Sequence, residues 1–568
     1  MSIRKVPFFR RNFVVAVCII LFVPTAFGGN VRESIIVPYK HANYGDFFNK
    51  ENTIFIVKRS INLRNASITI GKGSAIKFTN KRSCLKNGSV NFNNCELIGI
   101  PKFKRMNTIT GGVQNDTICS TWFSFNNPYL ELMLFLTCFA GDGKCLVLKP
   151  NYKYIIGKTD CNARIPNVSR LAIKGNNAIV YDEYPSQTAV LENKSREVFT
   201  FLHCNSIEIV NLRYENVDGD FIRHDYDSYG AGCTFIHFTD CQDITVKDID
   251  VKNCFVTVSI DKSSFDETPT CAFVDCKIDR GMYGVSLFGI RDVEVHLDVK
   301  NEITRSVYSA GISNAKYYIN TIGDIYARAT AGFIMQEYWL KDAPGYIHNL
   351  HNKNITAVVN HYGAVIRGSS VDLGNFGAYN TGNHHEVLFR KHPFYISFDI
   401  EINYLGKTSP HMLAFQVQPL LQKDGACQLP TYVEGKVRVN YHKCEFSEPQ
   451  KSIYKSVRLA KIRREGEDSP YIYNMDIELT SEIPRTADVA INWNKNGVFN
   501  IHCDNNTLLA LMVENNSGNP CTFNIDAPEL ELNAYSKSGI KGKLANINYS
   551  GPNLLFKKGS SKNVSITR

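Results

Sequence analysis

The chain has 568 residues and a formal charge of +10, a length that suits three or four ordinary domains or one long repeat protein. The mild cationic excess eases contact with acidic polymers, but no basic run with interleaved aromatics occurs, which argues against a nucleic-acid partner. The 17 cysteines include no CxxC pair and no compact Cys/His cluster, which disfavours a structural zinc site.

The N-terminus reads as an export signal. Arg4, Lys5, Arg10 and Arg11 form a basic head, Phe13 to Val23 an apolar run, and Thr25, Ala26, Gly28 and Gly29 a small-residue exit. The run is too short to span a bilayer, which takes ~20 residues, so no transmembrane anchor is expected. Cys18 follows Val17 rather than a small residue, which argues against a lipoprotein anchor. Removing residues 1–28 takes the formal charge to +6 and the cysteines to 16. The expectation is a secreted protein, extracellular or periplasmic. Its cysteines are read as stacked core residues ahead of a disulfide framework.

Helix signals are scarce beyond this segment. The best helical stretch is Pro128 to Phe139. Short alternating β-rich runs dominate, such as Ser67-Ile-Thr-Ile70, Arg170-Leu-Ala-Ile173 and Asp243-Ile-Thr-Val246, separated by Asn, Gly, Asp or Ser. Cys204-Asn-Ser-Ile207-Glu-Ile209-Val-Asn-Leu212-Arg-Tyr214-Glu-Asn216 repeats 37 residues later as Cys241-Gln-Asp-Ile244-Thr-Val246-Lys-Asp-Ile249-Asp-Val251-Lys-Asn253. A shift of 27 then sets Phe273 on Val246, Cys276 on Ile249, Ile278 on Val251 and Arg280 on Asn253. A shift of 25 carries Arg280-Gly-Met-Tyr283 to Arg305-Ser-Val-Tyr308. Strand repeats without helices imply one β-coil per repeat, with loop insertions absorbing the unequal periods. Asn216 and Asn253 fall at one repeat position, where amides would bond the backbone of the neighbouring turn at a tight corner.

The expected fold is all-β, a right-handed parallel β-helix. Residues 29–160 would form the N-terminal cap and first coils, and residues 161–385 the central helix. Residues 386–568 read either as irregular further coils or as a smaller C-terminal β region. Phe394 to Ile402 and Gly435 to Asn440 look like strands there, and Lys451 to Asp468 like a charged excursion.

The segment Thr234-Phe-Ile-His-Phe-Thr-Asp-Cys241 through Asn253-Cys resembles a coil of the pectin-lyase-like superfamily, polygalacturonases especially. The opening coils, Asn62 to Phe78 and Leu85 to Val90, resemble those of secreted bacterial β-helix proteins. The resemblance covers about residues 50–380 and implies a fold more than an activity. Polygalacturonase catalytic motifs are missing: Asn380-Thr381 is followed by Gly382, and there is no Asp-Asp pair, Gly-His-Gly or Arg-Ile-Lys.

A coil interior is filled by side chains, so ligands are expected outside. The insertion after Asn216 carries Arg223, His224, Asp225, Tyr226 and Asp227, and the one on the next coil carries Asp261, Lys262, Asp266 and Glu267. Coils stack ~4.8 Å apart, which would bring these loops together. Asp225, Asp227, Asp261, Asp266 and Glu267 are the candidate catalytic carboxylates, as general acid and base in glycoside hydrolysis. Alternatively they hold Ca²⁺ while Arg223 or Lys262 neutralises a uronate before β-elimination, or the loops are solvated polar turns. Arg223, His224, Tyr226 and Lys262 are candidate substrate contacts. So are Arg280, Tyr283, Arg305 and Tyr308, read as stacked Arg/Tyr pairs on adjacent coils that could clamp an acidic sugar. His384-His385-Glu386 lacks helical metal spacing, so no metal is assigned, and Ca²⁺ is the one cofactor under consideration. The partner expected is a polysaccharide, acidic ones included. The two function classes are a glycoside hydrolase or polysaccharide lyase, and a non-catalytic surface or adhesion protein that binds glycans.

Overall fold

A computed structural model describes residues 32–157, 162–185, 195–217, 232–262, 270–322, 333–336, 338–342, 346–350, 352–362, 368–373, 394–406, 412–417, 431–442, 455–459, 471–492, 497–515, 519–536, 542–561 and 563–568. The first coils show the winding most simply. Thr53–Val57, Ser60–Asn62 and Ser67–Thr69 follow one another round a coil. Each then pairs in parallel with a strand of the next coil: Ala75–Phe78, Cys84–Lys86 and Ser89–Asn91. Three short strands per turn, each stacked on its counterpart, build a three-sided parallel β-helix. From Thr117–Cys119 to Val564–Thr567, 28 described strands join in one hydrogen-bonded ladder, because longer strands there run on round the corners. Its strand pairings among the described residues are parallel; Tyr338–Asp342 and Tyr346–Leu350 form a separate antiparallel hairpin.

The cause is a period of two. In Cys521–Asp526 the buried positions Cys521, Phe523 and Ile525 alternate with more exposed Thr522, Asn524 and Asp526. A strand of this kind buries one face only against coils above and below, so apolar residues form ladders. Ile207, Ile244, Ala272, Val293, Ala315, Ile355 and Phe398 are successive partners in one of them. Gly435 comes next. A β-carbon there would lie 2.4 Å from the Phe398 carbonyl oxygen and 2.7 Å from its ring, so glycine makes room for the phenylalanine. One core cluster runs from Val37 to Tyr549. All 13 cysteines among the described residues are free, nine of them buried. Cys204 sits on Cys241, whose Sγ accepts from the Cys204 amide at 3.3 Å.

The helical stretch is a 3₁₀ turn, Pro128–Leu130, followed by the helix Glu131–Phe139, which sets Phe135 and Phe139 against Phe123. Among the described residues no helix is long and apolar enough to cross a membrane.

The repeat of 37 is observed residue for residue, with Ile207 on Ile244 and Tyr214 on Val251. The repeat of 27 holds from Ile249 onward, but an irregularity before it sets Val274, not Phe273, on Val246. The repeat of 25 is incorrect. The observed shift is 22, with Tyr283 on Arg305 and Ser286 on Tyr308. The error has a physical cause: 25 and 22 differ by an odd number, and an odd slip turns every inward side chain outward. The true register keeps buried Val285 on buried Val307. The corner expected at Asn253 and Arg280 is real, with left-handed φ of 57° and 68°. Asn253 Nδ2 donates to the Asn216 carbonyl at 3.2 Å. The next left-handed corner residue is Asn301, not Arg305.

Candidate functional site

One side of the helix gathers the chemistry. Ser195–Leu202 and Gly232–Thr239 stack in parallel with the last turns of Gln242–Asp261, Ala272–Phe288 and Arg291–Ala310. Phe333–Gln336, Gly368–Leu373, Met412–Val417 and Lys455–Leu459 continue the series. Phe199, Ile236, Val258, Val285 and Val307 point into the core along it. The alternate positions turn away from that core: Thr200, His237, Ser259, Ser286, Tyr308, Asp372, Gln416 and Arg458 lie in one row, of which Thr200, Ser286, Asp372 and Gln416 are themselves buried.

At one end of this face His237 bridges two carboxylates from different strands. Its Nδ1 lies 2.7 Å from Glu197 Oε1, and its Nε2 is hydrogen-bonded to Asp261 Oδ1. Thr200 Oγ1 donates to the other Glu197 oxygen at 2.7 Å. Burial pulls the imidazole towards its neutral form, but the bonds to Asp261 and Glu197 outweigh that and push its pKa up to about 10. The imidazolium in turn holds the Glu197 carboxyl below its ordinary range, against the upward pull of burial. At neutral pH the array is carboxylate, imidazolium, carboxylate, with one net negative charge. The three side chains keep 27%, 19% and 25% exposure, so solvent reaches them.

Further along, the buried Arg305 guanidinium lies beside both Tyr283 and Tyr308, its carbon 5.3 and 5.2 Å from the two ring centres, which are themselves 5.7 Å apart. Phe255, Val256, Met282 and Tyr283 pack there as a small apolar cluster outside the main core. Gln416 Nε2 donates to Asp372 Oδ2 at 2.7 Å and to Ser369 Oγ at 2.9 Å. Burial raises the Asp372 carboxyl to about 7, against the lowering effects of that hydrogen bond and of the Arg305 charge. No groups of three or more His, Cys, Asp or Glu that could hold a metal occur among the described residues.

No family model matches the chain, and no curated protein matches it.

Of the residues singled out from sequence, Asp261, Tyr283, Arg305 and Tyr308 share this face. Arg280 stands apart at a corner, half-buried, and Lys262 is buried to 7% exposure rather than held out in a solvated loop. The expected stacking of Arg280 on Arg305 and Tyr283 on Tyr308 does not occur; Arg305 is partnered by Tyr283 in register and bonds its hydroxyl at 3.3 Å. Arg223, His224, Asp225, Tyr226, Asp227, Asp266, Glu267 and His384-His385-Glu386 lie outside the described residues. Sequence reading missed Glu197, His237, Asp372 and Gln416. His237 did leave a signal: it is the polar member of an otherwise apolar Phe235-Ile-His-Phe238 run, so it must face out.

Proposed function

We propose that the chain is a secreted, polysaccharide-active β-helix protein that hydrolyses an extended glycan laid along this outward face. The observation that carries the reading is the carboxylate pair held apart by His237. Hydrogen bonds to opposite nitrogens of the imidazole hold the Glu197 and Asp261 carboxylates apart across the ring, and inverting glycoside hydrolysis likewise keeps its acid and base apart, by ~6.5–9.5 Å. Engagement of one carboxylate by a sugar hydroxyl would lower the imidazolium pKa, so that the imidazolium gives its proton to the departing glycosidic oxygen while the other carboxylate takes one from the attacking water. Farther along the same face the half-buried Tyr308, held against the Arg305 guanidinium, offers a ring to the glycan. The likeness of the coils to pectin-lyase-like proteins supports a glycan as the ligand, and the export signal supports an extracellular one.

A second reading, glycan binding without turnover, is favoured by the charge state itself: an imidazolium already neutralises the pair, and an imidazole with a pKa of about 10 is a poor proton donor at neutral pH. Purified protein incubated with a polysaccharide panel separates the readings. New reducing ends without ultraviolet-absorbing uronates, lost in Glu197→Gln, support hydrolysis. Binding without new ends supports the second reading. Neither binding nor turnover on any glycan rejects both, and absorbance from unsaturated uronates replaces hydrolysis with elimination.

A further inference from the structure

A second outward face, on the C-terminal coils, is built differently. A groove of about 630 Å³ runs across Tyr471–Ser481, Val498–Cys503, Cys521–Asp526 and Ala545–Tyr549. Its floor is a row of side chains tied head to tail. Asn500 Nδ2 donates to Asp476 Oδ1 at 2.7 Å, Asn524 to Asn500 at 2.7 Å, and Asn548 to Asn524 at 2.8 Å. All four residues are exposed.

The chain contains another such ladder for comparison. Asp298, Asn320, Asn360, Asn403, Asn440 and Thr480 are linked in the same way, at 2.7 to 2.9 Å. Its linked amides are half-buried or buried, where a hydrogen bond sheltered from water stabilises the stack. Water competes for the bonds of the exposed ladder, so stability is a weak reason for it. What the exposed ladder does provide is order: four polar groups at ~4.8 Å pitch, with orientations fixed before any ligand arrives. Each carboxamide has two N–H donors and two acceptor lone pairs; the ladder takes up one of each at Asn500 and Asn524 and one donor at Asn548. The remaining ones recur along the groove as alternating donors and acceptors.

The neighbouring row carries ionisable side chains that are hydrogen-bonded or paired within the protein. Asp526 pairs with His502 at 2.9 Å and accepts from Ser550 Oγ at 3.2 Å. Glu478 meets Lys436 at 2.5 Å and Arg438 at 3.5 Å. Asp476 closes the row as an acceptor, and the three uncharged amides beyond it suit a ligand that carries a hydroxyl as both donor and acceptor at every repeat.

We propose that this groove is a second binding site, distinct from the His237 face, for a neutral glycan chain running parallel to the helix axis. The inference stands on its own geometry and does not depend on turnover at His237. Calorimetric titration with cello-, malto-, xylo- and mannohexaose, and with hexagalacturonate, tests it. At least one neutral hexaose binds the full chain, and Asn500→Ala with Asn524→Ala and Asn548→Ala weakens that binding at least about tenfold. The thermal midpoint and circular dichroism of the triple variant, unchanged, show that the coils remain folded. Should the triple variant unfold, Asn524→Asp alone serves: it keeps the volume, removes the donors, and must also weaken binding. The proposal is overturned if no neutral hexaose binds, if hexagalacturonate binds more tightly than all of them, or if His237→Gln abolishes binding while the asparagine variants keep it.

Discussion

His361 shows how one buried side chain sets a pH limit on the fold. Its ring is fully buried, with Nδ1 2.7 Å from Thr321 Oγ1 and Nε2 2.9 Å from Ser370 Oγ, and it stacks on Tyr404 at 5.2 Å. Burial without a charged partner pushes its pKa down to about 3. An unfolded histidine titrates near 6.5, so the unfolded chain takes up the proton first. The contribution is fully present above that value and is lost as pH falls towards 3, by about 3 kcal/mol at pH 4. Urea midpoints measured from pH 7 to 4 should show this acid limb, and His361→Gln should flatten it; an identical limb in the variant would assign the acid sensitivity elsewhere. Gly435 sets a steric limit of the same local kind. Gly435→Ala forces a β-carbon against the Phe398 carbonyl and ring, and should cost about 1–3 kcal/mol in denaturant unfolding. A neutral result would mean that the strand yields at that point.

At the scale of elements, the two asparagine ladders predict opposite responses to the same change. Asn403→Ala breaks bonds to Asn360 and Asn440 in the sheltered ladder and should cost about 1–3 kcal/mol. Asn524→Ala, in the exposed ladder, should stay within about 0.5 kcal/mol. Equal losses, compared by chemical denaturation, would remove the distinction on which the second binding site rests. Strands were the most legible feature of the sequence, because alternation such as Ile207-Glu-Ile209 or Ile244-Thr-Val246 admits one face to the core. Register was legible only where apolar residues recur on both coils. Between Arg280 and Arg305 the eye follows a repeated Arg-x-x-Tyr, but the core follows Val285 and Val307, and the two disagree by an odd number of residues. The site suffered most from this. Glu197, His237 and Asp261 are 40 and 24 positions apart, so nothing local links them, and their meeting depends on strand register that no single motif encodes.

The whole molecule is quasi-one-dimensional: each coil touches its neighbours and little else. Damage should therefore stay local. Ile501→Ala, in the buried ladder of the C-terminal coils, should raise amide exchange over the adjoining strands Tyr471–Ser481 and Cys521–Asp526 and leave Thr53–Val57 as protected as before. Uniform loss of protection along the chain would indicate a single cooperative unit. The same stacking explains how one chain can carry two unlike outward faces. One bears a charged array near an Arg–Tyr cluster, the other a row of amides that ends on Asp476, and both are ordered by one core.

The functional account depends on His237 being held as a cation by two carboxylates brought from neighbouring coils. The direct measurement is a ¹⁵N-detected titration of its side chain, assigned by its loss in His237→Gln. The account predicts an imidazole protonated at both nitrogens at pH 8, titrating at about 10, with that pKa falling in Glu197→Gln. A His237 ring that is neutral at pH 8 and titrates near 6.5 would contradict it.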